Sequence, residues 1–128
     1  NILCREKLCP VIQLFPYESF EQAVADAKTN LLWEGAGHTS VIYTNDTEKA
    51  EYVGHELPVG RLVVNQAGGA ASGGNYINGL HPTMSLGCGS WGNNSISENL
   101  TYKHLMNTTR LAYYHDCTMP ELDEVWKL

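Results

Sequence analysis

The sequence predicts an α/β fold of β-α-β units forming a parallel sheet, and three observations carry that expectation. Short apolar runs rich in β-branched residues recur at 9–15, 38–44 and 61–65. Between them lie segments whose apolar residues repeat at helical spacing behind a residue able to cap a helix. Strands alternating with helices at these distances give right-handed crossovers and helices on the faces of a parallel sheet.

The first run, Cys9-Pro10-Val11-Ile12-Gln13-Leu14-Phe15, ends at Pro16 and reads as a buried strand. Ser19 followed by Gln22 has the form of a capping box. Phe20, Ala23, Val24, Ala27 and Leu31 then mark a helix that Gly35-Ala36-Gly37 ends. His38 to Thr44 is the second strand. Asn45-Asp46-Thr47 caps a second helix, with Ala50, Val53 and Leu57 facing inward until Pro58 and Gly60 stop it. Arg61 to Asn65 is the third strand. From Gln66 to Asn94 the periodicity ends and most of the chain's twelve glycines collect. A loop so long in a compact domain is usually functional, and Tyr76, Leu86 and Trp91 within it argue against disorder. A capped helix is expected from Ser95 to about Met106, then a last strand at 108–113. The tail from His115 to Leu128 is expected to drape over a neighbouring surface.

Composition narrows the function. The chain has 128 residues, 43% hydrophobic and 17% charged, enough for one globular domain. A net charge of −6, with no basic run, gives no footprint for nucleic acid. No apolar stretch approaches the ~20 residues of a membrane helix, and the first twenty residues lack a signal-peptide pattern. A soluble, cytoplasmic protein is expected. Cys4, Cys9, Cys88 and Cys117 form neither a disulfide framework nor a zinc knuckle and read as reduced thiols. Asn45, Asn93, Asn99 and Asn107 open N-x-S/T triplets, which read as chance without secretion. The start at Asn1, on an apolar stretch, suggests a fragment of a longer protein.

Few residues stand out for chemistry. The histidines at 38, 55, 81, 104 and 115 are scattered without ligand spacing, so no metal site is expected. Gly87-x-Gly89-x-x-Gly92 has the letters of a dinucleotide fingerprint but follows no strand and opens no helix. The glycine pairs around it could still cradle an anion. His38 sits where loop becomes sheet, the position at which α/β proteins place ligands. A ring serving only a backbone carbonyl at a strand start is the alternative. Glu6 carries the same ambiguity.

Longer strings are more specific. Glu6-Lys7-Leu8-Cys9-Pro10-Val11, Gly37-His38-Thr39-Ser40 and above all Leu86-Gly87-Cys88-Gly89-Ser90-Trp91-Gly92-Asn93-Asn94-Ser95 resemble the coenzyme-A-acylating branch of the aldehyde dehydrogenases over residues 5 to about 112. The resemblance implies a C-terminal segment of the catalytic domain of an NAD- or NADP-dependent oxidoreductase, a homo-oligomer when full-length. Such enzymes convert an aldehyde and coenzyme A to an acyl-CoA through a cysteine hemithioacetal and thioester. It implies that Glu6 holds the nicotinamide ribose, and that His38 lies near thioester and nicotinamide, donating to an oxyanion or passing a proton. Leu86 and the following glycines would wall the cofactor and acyl pocket. The nucleophilic cysteine would precede Asn1, Cys88 being only a loop residue, so the 128 residues alone are expected to be inactive. Gln66 to Leu80 is nearer the semialdehyde and sulfoacetaldehyde enzymes than the bifunctional acetaldehyde ones. Outside the resemblance, the alternative is a stand-alone, non-catalytic module for binding a small anion or for oligomerisation.

Overall fold

The computed structural model of the chain describes residues 2–121 and 125. Helix α1 (Phe20–Trp33) leads into strand β1 (Gly37–Ile42), which passes through helix α2 (Thr47–Glu56) to strand β2 (Val59–Val64). The strands pair in parallel, with Thr39 opposite Arg61 and Ile42 opposite Val64. The predicted β-α-β unit is therefore present, and the fold class is α/β.

Capping residues set the helix starts. Ser19 Oγ accepts the Gln22 N–H at 3.2 Å, but Gln22 Oε1 takes the Glu18 N–H, so only half of the predicted box forms. Asp46 Oδ1 accepts the Lys49 N–H at 3.2 Å and opens α2. The apolar stripes of both helices meet on one face of the sheet. Val24, Val53 and Leu57 are buried there against Phe20, Ala27, Leu31, Ile42, Val59 and Leu62. Each buried aliphatic side chain contributes about 1.5–3 kcal/mol, which makes this cluster the main source of cohesion. The Lys28–Glu56 ion pair between α1 and α2 is 3.1 Å long but well exposed on both sides, so it adds little.

Strand alternation sends Thr39, Val41, Arg61 and Val63 to the opposite face. The glycine-rich segment covers that face, beginning with the short helix α3 (Gly68–Ala71), whose first residue lies against Val41. Val63 and Ala71, each 3% exposed, are buried on this side.

Three expected elements do not form. Residues 9–15 are not a strand, and Ile12 and Leu14 are 87% and 89% exposed. A strand needs a neighbour to bond its backbone, and among the described residues none lies alongside. Residues 108–113 are likewise irregular, exposed and without a strand partner among the described residues. The segment from Ser95 to Met106 is helical only in a 3₁₀ turn, Tyr102–Leu105. Its backbone bonds run sideways instead: Gly87 N–H to Glu98 O, Gly89 N–H to Ile96 O and Leu100 N–H to Ser85 O, each 2.9–3.1 Å. Residues 85–100 thus double back on themselves, with Leu86 bridging Asn99 in antiparallel sense and Asn93 taking the left-handed turn conformation at φ 58°. Of the tail, residues 115–121 are exposed, and most of the remainder lies outside the described residues.

Candidate active-site cleft

At the N-terminal end of β1 the chain makes a sharp entry. Gly35 and Gly37 have φ of +101° and +82°, conformations that side-chain-bearing residues rarely adopt. Gly37 is buried, and a Cβ there would run into the backbone carbonyl of Cys88. Close approach of β1 to the Gly87–Gly92 loop is what this glycine permits. His38 follows with its ring exposed, its Nδ1 3.1 Å from Thr39 Oγ1.

His38 and Glu6 line one cavity of about 440 Å³ between the end of α1 and the start of β1, with Asn30, Glu34 and Thr39. The Glu6 N–H donates to Glu34 Oε2 at 2.6 Å, which anchors the N-terminal segment to the end of α1. The Glu6 carboxylate accepts no hydrogen bond from any described residue, and its side chain is exposed. Two of the three sequence-predicted site residues therefore share a cleft. Leu86 does not join them: it lines a separate cavity of about 620 Å³ with Gly69, Gly73, Gly74, Ser72 and Met84.

What ties the two regions together is a residue not singled out from sequence. Arg61, 5% exposed, lies between β1 and the glycine loop. Its Nε–H donates to Thr39 Oγ1 at 3.2 Å, Nη1 to Gly87 O at 2.9 Å and Asn99 Oδ1 at 3.5 Å, and Nη2 to His38 O at 3.1 Å and Gly37 O at 3.5 Å. A guanidinium has five N–H donors, and five acceptors meet them. No carboxylate pairs with it among the described residues, so neutral dipoles, four carbonyls and one hydroxyl, offset the buried charge. Asn99, 4% exposed, extends the network through Nδ2 to Ser72 O at 3.0 Å and His81 O at 2.8 Å. The signal for Arg61 was present: a charged residue inside the run Val-Gly-Arg-Leu-Val-Val must be paired if buried.

Cys88 is half-buried, its N–H donating to Asn94 Oδ1 at 3.0 Å, and its Sγ 3.9 Å from Leu86 O. All four cysteines are free thiols. Among the described residues there is no cluster with the makings of a metal site, and no helix is long and apolar enough to cross a membrane.

The sequence matches the family model described as "Aldehyde dehydrogenase family" over residues 1–104. The chain belongs to the aldehyde dehydrogenase family. It is 50% identical over 127 residues to the succinate-semialdehyde dehydrogenase (acetylating) of Clostridium kluyveri, covering 98% of this chain and 28% of that protein. It is 42% identical over 107 residues to the sulfoacetaldehyde dehydrogenase (acylating) of Cupriavidus necator, covering 84% of this chain and 22% of the relative. The crystal structure of a probable aldehyde dehydrogenase from Listeria monocytogenes superposes with a TM-score of 0.81 at 34% identity, over 95% of this chain and 26% of that one. The resemblance to the acylating branch thus extends along nearly the whole chain, which spans about a quarter of the length of the relatives it matches.

Proposed function

We propose that this chain is the C-terminal part of the catalytic domain of a coenzyme-A-acylating aldehyde dehydrogenase, contributing cofactor-binding and acyl-transfer groups. The observation that carries the reading is the cleft at the start of β1, where Glu6 and His38 stand together. Glu6 offers a carboxylate with both oxygens unengaged by described residues, a fit to a vicinal pair of ribose hydroxyls. The nicotinamide cofactor, NAD or NADP, supplies the hydride acceptor when bound. His38 then stands at the thioester, where an imidazole N–H stabilises charge developing on the acyl oxygen as the coenzyme A thiolate attacks. The aldehyde hydrogen leaves as hydride, the acyl group passes to the coenzyme A sulfur and the thiol proton is released, so the products are acyl-CoA, the reduced cofactor and a proton. Leu86, in its own cavity behind the same loop, would wall the acyl side. The nucleophilic cysteine belongs to a part of the enzyme outside these 128 residues, and Cys88 is a loop residue.

The greater identity to these semialdehyde and sulfoacetaldehyde relatives than to a bifunctional aldehyde-alcohol dehydrogenase favours an aldehyde bearing an anionic group over acetaldehyde. A cytoplasmic homo-oligomer is the expected working form, the exposed segment 107–113, without a strand partner among the described residues, being suited to pair with another strand. The test is His38→Ala in the full-length enzyme, read by melting temperature and single-turnover acyl-CoA formation. A role at the thioester leaves the melting point nearly unchanged and slows turnover by about 10²–10⁴-fold. A lowered melting point with a wild-type rate would reduce His38 to a strand-start contact.

A further inference from the structure

The buried guanidinium bears directly on which nitrogen of His38 carries its proton. Arg61 Nε–H can only donate, so at 3.2 Å Thr39 Oγ1 is the acceptor. That hydroxyl makes one other hydrogen bond among the described residues, the 3.1 Å contact with His38 Nδ1. An oxygen already receiving a cationic N–H is a stronger donor through its own hydrogen. Nδ1 is thereby the acceptor, and the proton of the neutral ring is left on Nε2. A second arm of the guanidinium grips the His38 carbonyl at 3.1 Å, so backbone and ring are fixed from one buried point.

We propose that Arg61 and Thr39 are positioning residues that hold His38 as its Nε2–H tautomer, making the ring a resting hydrogen-bond donor to the acyl oxygen and not a base. This deepens the reading of His38 given above and rests on it for its kinetic consequence. The same guanidinium holds Gly87 O at 2.9 Å, so the loop carrying Cys88 and the donor ring are set from a common anchor.

The experiment uses the full-length enzyme labelled with ¹⁵N-histidine, the His38 signals being assigned by their loss in His38→Ala. In the wild type, Nδ1 should resonate as an unprotonated ring nitrogen and Nε2 as a protonated one. Thr39→Val should convert this to a mixture and slow acyl-CoA formation by about 10- to 100-fold, and Thr39→Ser should restore both. Arg61→Lys, which keeps the charge and loses the fork, should act like Thr39→Val. In a His38→Ala background Thr39→Val should cost less than about twofold further, because its effect passes through the missing ring. A wild-type ring protonated at Nδ1, an unaltered tautomer in Thr39→Val, or full additivity with His38→Ala would each overturn the proposal. A wild-type rate in His38→Ala itself would instead remove the thioester role, while the tautomer signals would still decide whether Arg61 and Thr39 set the ring.

Discussion

Two single residues at the cleft give sharp expectations. Glu6→Gln keeps the size of the side chain and removes its charge, so in the proposed role the hydrogen bonds it accepts from ribose hydroxyls weaken from charge-assisted to neutral. In the full-length enzyme the binding of the nicotinamide cofactor should weaken by about 1–3 kcal/mol, visible in its dissociation constant. A dissociation constant and turnover both unchanged would end that role. Gly37→Ala tests the approach of β1 to the Cys88 loop. The left-handed backbone at +82° costs an alanine about 1–2 kcal/mol, and the new Cβ meets the Cys88 carbonyl, so melting temperature and turnover should fall together. Equal values in variant and wild type would mean the loop gives way freely. The cleft was half legible in the sequence. Glu6 and His38 could be named because motif strings single them out, whereas Arg61 offered only a charge inside an apolar run, and the acceptors that it and Asn99 bond are not revealed by spacing until the strands are in register.

Elements followed the sequence where their bonding is local. Both helices begin at their capping residues and stop where glycine or proline requires, and β1 and β2 pair because α2 returns one beside the other. The misread segments, 9–15, 95–106 and 108–113, are those whose state depends on a distant neighbour, or on a competing one such as the Gly87–Gly89 backbone. Even β2 ends on a nonlocal device: Asn65, at φ 54°, bonds the Thr44 N–H and C=O through its side chain at 2.9 and 2.7 Å, closing the sheet's end as another pair of backbone groups would. For α2 the local rule yields a pH expectation. The Asp46 carboxyl is held below its ordinary value of 3.8, first by the Lys49 backbone N–H, then by the Lys49 side chain. Because the folded value is depressed, the cap's contribution is fully present above the unfolded value and is lost as pH falls through the folded one. Asp46→Asn should keep the cap and flatten the acid limb of the melting-temperature profile below about pH 4, while Asp46→Ala should lower the whole profile. Matching acid limbs in Asn and wild type would exclude Asp46 as a contributor.

At the scale of the molecule, surface area decides what these residues can do alone. The chain exposes 10712 Å² for 14.2 kDa, where a folded monomer of that mass exposes about 6,800 Å². Among the described residues five apolar ones are buried and no side chain is fully so, while Leu8, Ile12, Leu14, Tyr76, Met84, Leu105 and Tyr114 stand more than four-fifths exposed. So large an apolar surface is not left in water by a working protein; it is covered by something. In the function proposed above, the occupant is the remainder of an enzyme of the relatives' length, about four times this one. The 128-residue chain by itself should therefore bind a hydrophobic dye, self-associate in size-exclusion chromatography and form no NADH from aldehyde, with or without coenzyme A. In the full-length enzyme the amides of residues 9–15 and 108–113 should be protected from hydrogen exchange, because there the bare backbone of both segments acquires strand partners. Aldehyde-dependent NADH formation by the pure chain would place a nucleophile among its own four cysteines and make Cys88, beside the β1 entry, the first to substitute. Rapid exchange of both segments in the full-length enzyme would instead show that their apolar residues meet water there too, and that the excess surface has some other use.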